Sequence, residues 1–177
     1  MSRTSFSLSR NAILEEWLAR TLRTYPAEAS RFLLQEKDPF RNPVGHAIQQ
    51  GLPVLFDQLV GDMDAVRITP ALDEIVRIRA VQDFSPSQAL AFLFLLKSLL
   101  REHLSDPDQR ALLEARIDEL ALRGFDLYIG CREKLHEIKL GEAHRRLYLL
   151  EKMHEVGTGF QPVLPPDKAA SPREDAP

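Results

Sequence analysis

The chain has 177 residues, a formal net charge of −3 and a pI near 6.0, the size of one soluble domain with a short appendage. Its 28 Leu, 8 Ile, 8 Val and 9 Phe exclude a disordered chain, and its one cysteine excludes a disulfide framework or a Cys-rich zinc site. Near-neutral charge argues against a nucleic-acid partner, and the longest apolar run, residues 89–96, is far short of the ~20 residues of a membrane span. No signal-peptide core opens the chain, so we read a cytoplasmic, reduced protein with no nucleic-acid and no membrane partner.

Leu outnumbers Val, Ile and Thr combined, 28 to 21, a composition that favours helices over strands. Residues 1–8 read as a flexible arm. The first helix is predicted over residues 9–25, with Ile13, Leu14, Trp17, Leu18 and Leu22 on one face. Pro26 starts a second, with Ala29, Phe32 and Leu33 inward, ending before Pro39. Asn42-Pro43 opens a third, which Pro53 is expected to interrupt or kink before it continues to Gly61. Thr69-Pro70 opens a fourth, running to Gln82 with Leu72, Ile75 and Val76 inward and an Asp73–Arg77 pair at i,i+4. Ser85-Pro86, with Gln88 at capping-box spacing, opens the fifth, to about Leu104. Its eight consecutive apolar residues predict a central helix buried on every side, with Phe92 and Leu95 intolerant of charge.

Asp106-Pro107 opens the sixth, a long helix over residues 105–156. Leu113, Ile117, Leu120, Gly124, Leu127 and Cys131 form one stripe at three- and four-residue spacing. Leu122, Phe125 and Ile129 form a second, roughly 155° away. Two nearly opposed stripes imply two contacts: one to the helix's own bundle, one to a second copy in a two-fold dimer. Leu120, Leu122, Phe125, Leu127, Ile129 and Cys131 are the candidate interface, with the choice of stripe open. The first stripe stalls at Lys134, and Gly141 weakens the helix before a basic-apolar stretch. Residues 157–177, rich in Pro and Gly, read as a disordered tail.

Chemical machinery is sparse. Glu133-x-x-His136 and Glu151-x-x-His154 have the spacing of carboxylate-bridged metal sites in helical bundles. Eighteen residues of one helix hold them ~27 Å apart, so they read as solvated charge rather than one site. His46 is the best-placed candidate for a haem ligand, read as an ordinary satisfied histidine. Cys131 reads as a small core hydrophobe, with a redox bridge across a parallel dimer as the alternative. There is no phosphate loop, no zinc-protease motif and no nucleophile elbow. We expect no cofactor, no metal and no catalysis.

The string Asn42-Pro-Val-Gly-His46, then Gly51-Leu52, the stretch 71–89 and Phe92 through Lys97 resemble the RsbRD-type N-terminal domain of RsbT co-antagonist proteins. Residues 17–22, Tyr25-Pro26, Phe32-Leu33 and Glu36-Lys37-Asp38 are similar too, so the resemblance covers residues 9–104. It implies an all-helical, globin-like sensor domain without haem, placed ahead of an output domain and joined to it by a long helix, usually across a dimer. It supplies no catalytic residues. The segment after Met153 is too short for an output domain, so the sensor is expected to stand alone. Arg77, Arg79, Asp83 and Ser85 match the family motif, either as a charged loop bracing the central helix or as ligand contacts. The combined reading is an all-α helical bundle with a long C-terminal helix and a disordered tail. Its expected role is a non-enzymatic regulatory module, a homodimer that touches a protein signalling partner; the alternatives are a haem- or metal-binding globin-like sensor and an adaptor or assembly factor for another complex.

Overall fold

The computed structural model describes residues 8–158, most of them in six helices. The arm before Leu8 and the tail after Thr158 lie outside the described residues. Helix α1 (Arg10–Leu22) starts where the Ser9 hydroxyl accepts from Ala12 N–H at 3.3 Å and buries Ile13, Trp17 and Leu22. Helix α2 (Ala27–Gln35) follows Pro26. Ala29 and Leu33 pack on the core, one turn apart, whereas Phe32 is exposed rather than inward as expected.

Helix α3 (Pro43–Val60) begins with Asn42, whose Oδ1 accepts from Gly45 N–H at 2.8 Å. Pro53 does not interrupt it. An interior proline costs about 3 kcal/mol, and the buried Leu52, Leu55, Phe56 and Leu59 around it return roughly 2 kcal/mol each.

Helix α4 (Ala65–Val81) starts five residues before the expected position, so Pro70 is an interior residue and not the first. Asp64 is the cap, accepting from Val66 N–H at 2.9 Å. The early start lets fully buried Ile68 join the stripe of Leu72, Ile75 and Val76. At Gly51, an added Cβ would stand 2.9 Å from Ile75 Cδ1, so α3 and α4 approach as closely as they do only without a side chain there.

Helix α5 (Pro86–His103) carries the expected capping box between Ser85 and Gln88. It is not buried all round. Phe92, Leu93 and Leu96 are fully enclosed, but Phe94 is 48% exposed and Leu95 only partly covered. Continuous hydrophobicity hides the side of a helix that faces water; burial is decided by which sides have neighbours. Trp17 stacks on Phe92 at 6.3 Å and donates its indole N–H to the Phe92 carbonyl at 2.7 Å, fastening α1 to α5.

Helix α6 (Pro107–Thr158) continues through Gly141 without a break. The chain divides into two compact units, Met1–His136 and Glu137–Pro177. In the first, Leu113, Ile117, Leu120 and Tyr128 of α6 belong to the core, so the expected sensor boundary at residue 104 falls inside packed structure. A Cβ on Gly124 would meet Leu90 Cδ2 at 2.7 Å, marking the close approach of α6 to α5. In the second unit, described side chains from Glu137 to His154 are exposed.

Candidate functional site: the α4–α5 turn and the outward face of α6

Arg79 is the largest charged group in the core, with 0% exposure. It lies on the same stripe as Leu72, Ile75 and Val76, so helix geometry drives it inward. Among the described residues, no carboxylate pairs with it. Its Nη1 donates to the Gln88 carbonyl at 3.0 Å, and its Nη2 to the Thr21 carbonyl at 3.2 Å and to Thr24 Oγ1 at 2.9 Å. Thr21 O lies in the last turn of α1, where the helix dipole presents partial negative charge. The guanidinium also sits 5.2 Å from the Tyr25 ring centroid, 5.3 Å from Phe84 and 5.5 Å from Phe92, close enough for cation–π attraction from all three. Burial draws the Arg79 pKa down, with Tyr25 partly opposing, and burial pushes the Tyr25 phenol up, with Arg79 partly opposing. Arg79 therefore ties together the end of α1, the end of α4 and the start of α5.

The turn after Arg79 closes on itself and on α6. Asp83 takes a left-handed conformation, φ 59°, and Phe84 N–H bonds back to the Arg79 carbonyl at 3.2 Å, the long bond of a Schellman-type helix end. The Phe84 carbonyl accepts from Tyr128 OH at 2.6 Å. Arg132 donates to the Ala80 carbonyl at 3.1 Å and to Asp83 Oδ1 at 2.9 Å. Of the motif residues, Ser85 caps α5, Asp83 pairs with α6 and Arg79 braces α5, the bracing alternative raised above. Arg77 points outward and pairs with Asp73.

The two stripes of α6 have different surroundings. Leu120 is completely buried in its own bundle, and Leu127 and Cys131 are packed partly against the same core. These three sequence candidates thus face inward, and Leu120 has no surface left for a partner. Leu122, Phe125 and Ile129 are 70%, 45% and 37% exposed. Tyr128 and Arg132 went unnoticed in the sequence. Tyr128 stands four residues after Gly124 on the inner stripe, a spacing that identifies it; Arg132 carries no local signal.

The remaining candidates are dispersed. His46 is half-buried in the first turns of α3, where its N–H bonds to the Asn42 carbonyl at 3.0 Å. Glu133 and His136 are exposed in the first unit, Glu151 and His154 in the second. Among the described residues, no three His, Cys, Asp or Glu side chains come together as a metal site, and no helix is long and apolar enough to cross a membrane. Cys131 is a free thiol.

The family model of the RsbT co-antagonist protein RsbRD N-terminal domain matches residues 11–141. The chain belongs to this family. It is thereby a sensor or regulatory domain of the RsbT co-antagonist group, and the match extends into α6, as the packed core does. An uncharacterized protein of Archaeoglobus fulgidus is 24% identical over 150 residues, spanning 82% of this chain and 92% of its own length. No solved structure matches the chain.

Proposed function

We propose that this RsbRD N-terminal domain is a non-enzymatic cytoplasmic regulatory module. It works as a homodimer and passes a signal from its helical bundle to a protein partner through α6. The observation that carries this reading is the outward stripe of Leu122, Phe125 and Ile129. It lies on the same helical turns whose inner side holds Leu120, Gly124 and Tyr128. Residues at i, i+3 and i+7 form one continuous apolar strip, and a two-fold axis lets the same strip serve both copies. The route inward is short: Tyr128 precedes Ile129 and holds the Phe84 carbonyl, and Phe84 stacks on Arg79. A rearrangement at the α4–α5 turn therefore moves the turn of α6 that carries the apolar strip.

Size-exclusion chromatography with light scattering tests the dimer. The wild-type chain should have twice the monomer mass at micromolar concentration, and Phe125→Glu should run as a folded monomer. Leu127→Glu, made in parallel, should instead lower stability, because Leu127 packs against its own core. A monomeric wild type overturns the proposal.

A further inference from the structure

A groove of about 670 Å³ lies between the start of α3 and one face of α4, within the range of pockets that hold drug-sized molecules. Val44, Ala47, Ile78 and Val81 supply its apolar lining, and Val81 is 54% exposed. The groove is built from the two stretches most characteristic of the family resemblance, the Asn42–His46 string and the body of α4.

Charge on the lining is unequal. Asp73 and Arg77 neutralise one another as an i,i+4 ion pair. Glu74 also lines the groove, is exposed, and has no ion-pair partner among the described residues. The α3 end offers an anion little, because Pro43 lacks an N–H and the Gly45 N–H is taken by Asn42 Oδ1. The one uncompensated charge is negative, beside an apolar bed.

We propose that this groove binds a cationic amphiphile: a hydrophobic amine whose body lies on Val44, Ala47, Ile78 and Val81 and whose ammonium pairs with Glu74. The site gives the sensor domain an input, on helices that do not include the α6 strip.

Calorimetric titration of the full chain with dodecylammonium and with dodecyl sulfate, both below micelle-forming and denaturing concentrations, tests the assignment. The cation should bind saturably, one per chain, at least tenfold more tightly than the anion. Glu74→Gln should weaken the cation about threefold and Val81→Gln about fivefold. Both positions are exposed, so circular dichroism should show the fold unchanged. Glu74→Lys should abolish the preference for the cation. Absence of saturable binding, equal binding of the two amphiphiles, or an undiminished preference in Glu74→Lys overturns the proposal. Calorimetry counts sites per chain whatever the oligomeric state, so failure here leaves the dimer reading intact, and a monomeric chain leaves this one intact.

Discussion

Helix α6 has two regions with opposite fates. Between Pro107 and His136 it contributes Leu113, Ile117, Leu120 and Tyr128 to the core and is tied down by Lys97, Arg101 and the α4–α5 turn. Between Glu137 and His154 it is just as rich in large apolar residues, with Leu147, Leu149, Leu150 and Met153, yet each of these is exposed. The comparison separates hydrophobic content from hydrophobic stabilisation. An apolar side chain adds stability only when something covers it, and a helical stretch wholly in water is marginal on its own. Gly141, which costs about 1 kcal/mol relative to Ala in a helix interior, falls in the region with no packing to offset it.

Matched substitutions in the two regions probe that contrast. The largest effect should come from Leu120→Glu, which places a charge in a dry core and should cost more than about 4 kcal/mol in urea unfolding. Leu147→Glu should change the same transition by less than about 0.5 kcal/mol; equal losses would erase the distinction between the regions. A smaller effect should follow Tyr128→Phe, which removes the 2.6 Å bond to the Phe84 carbonyl and should cost about 1 kcal/mol. Tyr148→Phe, at an exposed position, should cost nothing measurable. The smallest concerns acid. The Arg101 hydrogen bond holds the Glu114 carboxyl below its ordinary range, with partial burial opposing. A depressed carboxylate contributes stability at neutral pH and loses it as pH falls through the lowered value. Solvent screening limits that contribution to about 0.5 kcal/mol. Glu114→Gln should therefore shrink the difference in unfolding free energy between pH 7 and pH 3, read from urea titrations, by about 0.5 kcal/mol, and an unchanged difference would show the pair to be idle.

Local signals made most helix starts legible. Asn42, Ser85 and Asp106 each accept a backbone N–H near the start of the following helix, and each is followed by proline. Thr69-Pro70 has the same form and failed, because Asp64 caps five residues earlier and the longer helix brings Ile68 into the core. Pro53 leaves its helix uninterrupted for a related reason: the local cost of proline is outweighed by long-range burial that a window of sequence does not contain. The doubly apolar character of α6 was visible as periodicity, but which stripe faced inward depended on neighbours far along the chain. Arg79 was the least legible of all. It and Arg77 look alike in a list of residues, yet two positions on a helix are about 200° apart. One meets Asp73 at the surface and the other is sealed among three aromatic rings.

The partners of that sealed guanidinium set what kinds of stimulus it can feel. Main-chain carbonyls and a threonine hydroxyl hold it, and none of these groups takes up a proton at any acidity the cell experiences. An arginine clasped by aspartate would be released by acid; this clasp is indifferent to it. The joint between the ends of α1 and α4 and the start of α5 consequently holds its charge and its partners across the acid range in which the Glu114–Arg101 pair is lost.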